Sequence, residues 1–339
     1  GGIGSGETSE GFGPNYSLPN RAYCESCSSC GLIFFQWKLN QAYRDARYAD
    51  LCEETLYNAL LGSIDLEGKN FYYTNPLEEN ARRTPWHNCP SCVGNIPRTL
   101  LMLPTWMYAK SSDGVWVNLF AGSSVAIENV AGVDVEVVQA TDYPWSGKVS
   151  ITVNPKSSKR FSVRIRVPSF GVSSLYAGAP RAGGLESLAV NGAPSRPRIE
   201  RGYAVINRVW KAGDRIDLTV PLQAQRVRAS EKIEADRGRV ALRYGPLVYC
   251  VEKVDQDINK ILPPTSALQA EWRGDLLGGV TVIKSAFADG GPLLAIPYSA
   301  RMNREPAPAQ GLPAIQTGAD GAVRQPPGEP RSIVWIRER

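Results

Sequence analysis

The stretch RFSVRIRVP, Arg160 to Pro168, decides the fold of the larger part of this 339-residue chain. Apolar side chains at every second position alternate with Ser162, Arg164 and Arg166. A period of two is that of a strand with one buried and one wet face. Similar runs recur after residue 110, separated by Gly, Pro and Asn: GVWVNLFAG, SVAIENV, DVEVVQA, KVSITVNP and RIDLTVPL. Short strands at such regular spacing predict a β-sandwich.

Within this first set, the segment LAVNGAP carries Asn191-Gly192, the strongest short signal for a hairpin. A second set of strands begins around GRVALRYGPLVYCVE, Gly238 to Glu252, and extends to SIVWIRE at the end of the chain. We therefore divide the chain into a helical domain at residues 1–110, a β-sandwich at residues 111–224 and a second β-rich sandwich domain at residues 225–339.

Before residue 110 the apolar pattern is helical. The run SSCGLIFFQWKLN, Ser28 to Asn40, is apolar nearly all round, which is typical of a helix buried on most sides. RYADLCEETLYNALLGSI has apolar residues at three- and four-residue spacings and a helix-ending signal at Gly62. DLEGKNFYYTNPLE predicts a hairpin turning at Glu67-Gly68. NIPRTLLMLPTWMYAK predicts a third helix, with Asn95 as its N-cap and Pro104 as the residue that kinks or ends it.

These helices need partners. Three mostly apolar helices in about 110 residues cannot cover one another and still leave a wet exterior. We therefore expect a fragment of a larger helical barrel. The predicted fold class is α + β and multidomain, with barrel helices followed by antiparallel β-sandwich domains.

Composition excludes two classes of function. No run of 18 or more apolar residues occurs, so we expect no membrane-spanning helix. The net charge is +5, but Lys and Arg alternate with Asp and Glu along most of the chain. A nucleic-acid surface needs a denser basic patch, so we expect no nucleic-acid partner. The opening GGIGSGETSE has neither Met nor a signal-peptide pattern, so we expect the native N-terminus to lie upstream.

The chain has seven cysteines, five of them in two short clusters. An odd, clustered set fits a disulfide framework poorly and favours a metal site or a reducing compartment such as the cytoplasm, although the sequence leaves the location open. Each cluster contains a Cys-x-x-Cys pair, Cys24 with Cys27 and Cys89 with Cys92. Such pairs are typical of half of a four-cysteine zinc site or of part of an active site. A thioredoxin-like redox pair is disfavoured because no βαβ pattern surrounds them.

Five motifs lie in order along the chain: GGIGSGETSEGFGPNYSLPNRAYCESCSSCG, FYYTNPLE, WHNCPSCVGNIPRTL, RYGPLVYCVE and AIPYSARMNR. Together they resemble the β-L-arabinofuranosidases of glycoside hydrolase family 127 over essentially the whole chain. The resemblance implies the C-terminal part of an (α/α)6 barrel, whose N-terminal half lies outside these residues, followed by β-sandwich domains. It also implies a retaining hydrolase that cleaves terminal β-L-arabinofuranosyl residues from an arabinose-containing oligosaccharide or glycan.

The resemblance assigns zinc as the cofactor, a zinc-bound cysteine as the nucleophile and a glutamate as general acid/base. The family's Glu-x-Cys ligand pair falls on Glu25 and Cys27. Its acid/base glutamate, ahead of Leu-Pro-Asn, falls on Glu10 in SEGFGPNYSLPN. The chemistry is coherent without the family, since zinc coordination deprotonates a thiol and a retaining glycosidase needs an acid opposite its nucleophile.

The second cysteine cluster departs from the family. The family's Cys-x-Cys-Cys motif, laid on CPSCVGN, places Cys89 on the first cysteine and Cys92 on the last. The nucleophile position then falls on Ser91, while Cys92, with Cys89 as a further candidate, completes the metal ligands. Three interpretations stay open: an engineered Cys-to-Ser change, a natural protein that binds sugar without cleaving it, and chemistry by another group such as Cys89.

Three neighbours are candidate substrate-binding residues. Tyr72 and Trp86 could stack on a sugar face, although aromatic residues beside a barrel mouth are as often core. The only histidine, His87, is expected to pack or hydrogen-bond near the site rather than bind metal. The alternative to an enzyme is a carbohydrate-binding or zinc-stabilised structural protein. The sequence does not fix the oligomeric state, and a homo-oligomer is compatible with it.

Overall fold

The computed structural model of the protein describes residues 1–6, 10–304, 316–317, 323–324 and 328–338. Its α-helices all precede the first long strands: Ser26–Tyr43 (α1), Ala46–Thr55 (α2), Ser91–Leu101 (α3) and Pro104–Met107 (α4). A π-helical turn, Leu56–Leu60, continues α2, and single 3₁₀ turns lie at Glu234–Asp236 and Tyr298–Ala300. The rest of the regular structure is β, as the sequence predicts for the larger part of the chain. No described helix is long and apolar enough to cross a membrane.

The first two helices lie where their apolar spacing predicts them. The α1 helix ends at Arg44, whose left-handed backbone lets its N–H donate to the Asn40 carbonyl. Asp45 caps α2 by accepting a hydrogen bond from the Arg47 N–H. On the outer side of the helices apolar side chains stay uncovered, with Phe35 60% and Leu101 82% exposed.

The third helix begins earlier than predicted. It starts at Ser91, so Asn95 lies inside the helix and the prediction that Asn95 is its N-cap is wrong. The side chain of Asn95 instead finds a partner on another segment, described below. Pro104 starts the short α4, a first-turn position that tolerates a residue without an N–H.

The predicted hairpin at residues 65–78 is a turn rather than a two-stranded ladder. The Gly68 N–H donates to the Asp65 carbonyl, and an isolated bridge joins Ile64 to Phe71. Phe71 also bridges to Thr84, so this segment is held by single contacts on both sides. It carries the chain from the second helix to the strand-like residues that precede α3.

Two sheets form the predicted sandwich. Their buried side chains, including Val115, Val163, Val137 and Ile151, belong to one hydrophobic cluster. One pair, Gly114–Val117 with Lys159–Arg166, is parallel, so the prediction of purely antiparallel sheets is wrong at this point. The five-stranded sheet has the order Arg198–Glu200, Tyr203–Trp210, Lys159–Arg166, Gly114–Val117 and Tyr108–Ser111. The six-stranded sheet has the order Ala193–Pro194, Ser187–Val190, Asp214–Thr219, Lys148–Pro155, Val133–Thr141 and Ser123–Val130.

The Asn191-Gly192 hairpin is confirmed. Ser187–Val190 pairs with Ala193–Pro194 around it, and both turn residues have positive φ, 51° and 80°. Positive φ at both central residues is what a two-residue turn of this kind requires, and Asn and Gly adopt it most easily.

The third sheet gathers strands from every part of the chain. Tyr176–Ala179 leaves the middle segment to pair with Ala224–Ala229, and Glu78–Glu79 from the helical segment pairs with Ser332–Ile333. The main path of the sheet is Gln269–Arg273, Val280–Ala286, Pro292–Pro297, Leu247–Glu252, Arg239–Tyr244, Ala224–Ala229 and Tyr176–Ala179, with Ile336–Arg337 joined to Arg239–Tyr244. A separate two-stranded sheet consists of Gln316–Thr317 and Val323–Arg324.

Arg166 ties the helices to the sandwich. The alternation of its strand placed it on a wet face, but its side chain is fully buried. It donates to Asp50 at 2.6 Å and pairs with Glu53, both on α2, and it also donates to the Asn118 carbonyl. The prediction of a wet face fails here because α2 covers the strand and supplies two carboxylates that neutralise the buried guanidinium.

Among the described residues of the helical segment there are four α-helices, one of them a single turn, which are fewer than an (α/α)6 barrel needs. The partial-barrel assignment therefore stays a prediction for the described residues.

Candidate active site

Two helix starts bring three of the predicted ligands together. Glu25 directly precedes α1, Cys27 lies in its first turn, and Cys92 is the second residue of α3. The strand-like segment before α3 fixes the entry to α1, because the Ser26 N–H donates to the Tyr73 carbonyl at 2.9 Å. The N-terminal end of each helix carries a partial positive charge, which favours anionic side chains there.

The three ligand-type groups form one tight cluster. The Cys27 and Cys92 sulfurs lie 3.2 Å apart, and Oε1 of Glu25 lies 3.6 Å from the Cys92 sulfur. All three ligand atoms lie within 4.8 Å of one another. Cys92 is fully buried, and Cys27 is half-buried. Two thiols and a carboxyl at this spacing can hold a metal ion.

The cluster shifts the pKa values of its members in opposite directions. The hydrogen bond from the Cys92 thiol, helped by those from Ser91 and Asn95, lowers the pKa of Cys27 to about 5. Donating that bond, together with burial, raises the pKa of Cys92 far above its usual range. Burial and the negative charge of Cys27 raise the pKa of Glu25 to about 7. Negative charge thus accumulates among these partly buried side chains, and a bound dication would offset it.

Ser91 lies at the solvent side of this cluster. It is exposed, it is the first residue of α3, and its hydroxyl hydrogen-bonds to the Cys27 sulfur. Cys89 is also exposed, with its sulfur 3.8 Å from the Ser91 Oγ. Cys89 is not one of the three clustered ligand-type residues, Glu25, Cys27 and Cys92. The predicted nucleophile position is therefore accessible beside the ligands, while Cys89 lies outside them.

Glu10 lies close enough to the cluster to act on its charges. Its charge contributes to the raised pKa values of Tyr23 and Glu25, which places the carboxylate within electrostatic reach of both. Glu10 is exposed, and its loop is anchored where the Gly6 N–H donates to the Gly11 carbonyl at 3.1 Å. An exposed carboxylate within electrostatic reach of the cluster could act as an acid on a ligand bound there.

The three predicted substrate-binding residues have different surroundings. Tyr72 is 0% exposed, its hydroxyl donates to the Ala81 carbonyl, and the Arg83 and Arg301 guanidinium groups lie over its ring. The structure therefore does not bring Tyr72 to the cluster, because arginines and the core occupy the space that a sugar would need.

Trp86 and His87 lie next to the second cysteine cluster. Trp86 is 65% exposed. His87 lies 3.2 Å from the Phe71 carbonyl through Nε2 and packs edge-on against Tyr73. Burial lowers its pKa, so it is neutral at neutral pH. His87 is not among the three clustered ligand-type residues, Glu25, Cys27 and Cys92.

Sequence reasoning missed the role of Asn95. Its Nδ2 donates to the Cys27 sulfur at 3.1 Å, and the Arg98 Nη1 donates to its Oδ1 at 3.1 Å. The available signal was the four-residue spacing from Ser91 to Asn95, which places both on one face if the helix starts at Ser91. Reading Asn95 as an N-cap concealed that spacing.

Comparison with known proteins identifies similar sequences for all three parts of the chain. Residues 1–105 match the model of the β-L-arabinofuranosidase GH127 catalytic domain, residues 114–222 that of the GH127 middle domain, and residues 224–310 that of the glycoside hydrolase family 127 C-terminal domain. A curated relative is the non-reducing end β-L-arabinofuranosidase of Bifidobacterium longum subsp. longum. It is 30% identical over 308 residues, which are 84% of this chain and 44% of that protein.

Solved structures show the same likeness. A GH127 β-L-arabinofuranosidase from Geobacillus stearothermophilus T6 has a TM-score of 0.85 and 31% identity, covering 100% of this chain and 54% of that one. Another GH127 β-arabinofuranosidase has a TM-score of 0.86 and 30% identity, covering 100% of this chain and 53% of that one. The chain thus spans about half the length of the relatives it matches.

Proposed function

Because this chain belongs to glycoside hydrolase family 127, we propose that it is part of a glycosidase that releases terminal β-L-arabinofuranosyl residues from arabinose-containing oligosaccharides or glycans. The observation that carries the proposal is the convergence of Glu25, Cys27 and Cys92 beside the exposed Ser91. We assign the helical segment to part of an (α/α)6 barrel, and residues 111–224 and 225–339 to two β-rich domains. The free cysteines support a reducing, cytoplasmic location.

We assign zinc to the cluster, with Glu25, Cys27 and Cys92 as its ligands. Tetrahedral zinc bonds of about 2.1–2.3 Å separate a sulfur from an oxygen by about 3.6 Å and two sulfurs by about 3.8 Å. The S–O spacing of 3.6 Å supports this fit, and the two sulfurs, at 3.2 Å, need to separate by only about half an ångström. Zinc bound there would keep coordinated thiols deprotonated near neutral pH.

We assign Glu10 the role of general acid and then general base. In a retaining hydrolysis one group attacks the anomeric carbon while a carboxyl protonates the leaving oxygen and later takes a proton from water. The place of Glu10, exposed and within electrostatic reach of Glu25, supports this role. The exposed Trp86 beside the cluster is the aromatic residue best placed to stack on the sugar.

We assign Ser91 to the nucleophile position, where serine is a poorer nucleophile than cysteine. A serine hydroxyl remains protonated near neutral pH and needs an adjacent base to become a nucleophile. We therefore expect this chain to hydrolyse β-L-arabinofuranosides very slowly or not at all while still binding the sugar. The same observation favours a second candidate function, a carbohydrate-binding protein whose zinc site is only structural.

Two measurements test the proposal. Metal analysis of the purified protein should find one zinc per chain, lost in Cys27→Ser and Cys92→Ser. Cys250→Ser is the matched control, since Cys250 is buried in the third sheet and should leave the zinc content unchanged. Metal-free wild-type protein would overturn the zinc assignment. Hydrolysis of an aryl β-L-arabinofuranoside by Ser91→Cys, in a protein that also carries the family's N-terminal half, separates the two candidates, because a structural protein gains no turnover from this change.

A further inference from the structure

The side chain of Asn95 lies between the proposed metal ligands and an arginine. Its Nδ2 is 3.1 Å from the Cys27 sulfur, and the Arg98 Nη1 is 3.1 Å from its Oδ1. Asn95 is half-buried and Arg98 is exposed. The two residues stand one turn apart on α3, the same helix that supplies Cys92.

Arg98 determines which end of the amide meets the sulfur. A side-chain amide has a donating NH₂ and an accepting oxygen of nearly the same shape, and the hydrogen-bond partners decide between the two orientations. An arginine has donors only, so it requires the oxygen. The NH₂ is then directed at Cys27. The backbone of this turn is held as well, because the Thr99 hydroxyl donates to the Asn95 carbonyl at 2.7 Å.

We propose that Asn95, oriented by Arg98, is a positioning residue of the metal centre that holds the Cys27 sulfur in its ligand geometry and stabilises its negative charge. The inference rests on the proposed zinc site and adds a residue outside the ligand set. An N–H donor to a coordinated sulfur takes up charge that the sulfur would otherwise carry alone. Groups that orient metal ligands from outside the coordination shell commonly contribute about 10–100-fold in metal affinity.

The two hydrogen bonds of the Asn95 side chain predict how strongly each of several variants should weaken zinc binding. Asn95→Leu keeps the branched shape of the side chain and removes the donor, so zinc affinity should fall about 10–100-fold. Asn95→Asp places a carboxylate against the sulfur and should weaken binding further. Arg98→Ala frees the amide to turn its oxygen toward Cys27 and should give a smaller loss. Arg98→Lys restores a donor to Oδ1 and should recover most of that loss. Leu101→Ala, an exposed change on the same helix, is the control and should bind zinc like wild type.

The experiment combines chelator competition for zinc with the absorption spectrum of the cobalt(II)-substituted protein. Changed sulfur donation should shift the sulfur-to-cobalt charge-transfer bands in both Asn95 variants, an effect that loss of fold stability alone would not produce. Wild-type affinity and spectra in Asn95→Leu and Arg98→Ala would overturn the role of Asn95 while leaving the zinc site standing. A wild-type protein that binds neither metal would instead overturn the zinc site itself. If Asn95→Leu does not fold, Arg98→Ala against Arg98→Lys decides the question on the same two readouts.

Discussion

In a protein that also carries the family's N-terminal half, replacing Ser91 with cysteine should raise the hydrolysis of β-L-arabinofuranosides by orders of magnitude. The change fits the structure, because Ser91 is exposed and its Oγ already lies beside the Cys27 sulfur and 3.8 Å from that of Cys89. A thiol at this position would join two helix-start thiols and a carboxyl. It would also lie at the first residue of α3, where the helix favours an anion.

The size of the effect follows from the ionisation of the two groups. An unperturbed thiol with a pKa of about 8.5 is already a few per cent ionised at pH 7, whereas a serine hydroxyl is not measurably so. Removal of a catalytic nucleophile commonly costs a factor on the order of a million in turnover. At about 1.4 kcal/mol for each tenfold change, this corresponds to about 8 kcal/mol of transition-state stabilisation. We expect Ser91→Cys to recover several of these orders of magnitude.

The assay is hydrolysis of an aryl β-L-arabinofuranoside by the Ser91 and Ser91→Cys forms, both in a protein that also carries the family's N-terminal half. Calorimetric binding of arabinose to the two forms is the control and should agree closely, because the substitution adds little volume. Equal turnover by the two forms would refute the reasoning and make Cys89 the next residue to mutate. Equal absence of turnover, with binding intact, would favour the non-catalytic function.

Three further outcomes follow from other charges of the molecule. In the Ser91→Cys background, Glu10→Gln should lower turnover about 10²–10⁴-fold, measured with the same aryl substrate. Arg166→Met leaves two buried carboxylates without their partner and should cost about 3–5 kcal/mol in urea unfolding. Arg164→Met, which breaks an ion pair to a largely exposed aspartate, should cost less than about 1 kcal/mol.

Burial raises the pKa of Asp236 from 3.8 to about 6, so its destabilising effect grows as the pH rises through this interval and is complete at pH 8. Asp236→Asn should therefore raise the free energy of unfolding by about 1–2 kcal/mol at pH 8, after allowing for solvent screening, and by little at pH 4.

The positions of strands could be predicted where the sequence signal is local, but the pairing of strands that are distant in sequence could not. Alternation predicted Lys159–Arg166, and Asn191-Gly192 predicted its own hairpin. Nothing local predicts that Gly114–Val117 pairs in parallel with Lys159–Arg166, or that Tyr176–Ala179 crosses to the third sheet. Those pairings depend on which strands, distant in sequence, have unpaired edges once the chain has folded.

The candidate site divides in the same way. The cysteine spacing indicated two clusters of candidate ligands, and the family resemblance selected Glu25, Cys27 and Cys92 among them; two helix starts bring these three together. Tyr72 and its neighbour show what spacing cannot decide. Adjacent residues of an extended chain point to opposite sides. The Tyr72 ring therefore lies under two arginines, while the Tyr73 side chain contacts Cys89. The sequence does not decide which of the two tyrosines points toward the site, because that depends on how this segment pairs with its neighbours in the folded chain.

Serine at position 91 alters the chemistry of the cluster without dismantling it. Glu25, Cys27 and Cys92 still lie within 4.8 Å of one another, and the Asn95 amide still faces Cys27. Three protein ligands with one position open are typical of zinc sites that accept an exchangeable ligand, whereas four protein ligands are typical of closed structural sites. In the proposed mechanism, serine in place of a thiol at position 91 weakens the nucleophile and at the same time leaves room beside the three proposed metal ligands. For that reason we expect this chain to bind sugar and metal even though we expect it to hydrolyse β-L-arabinofuranosides very slowly.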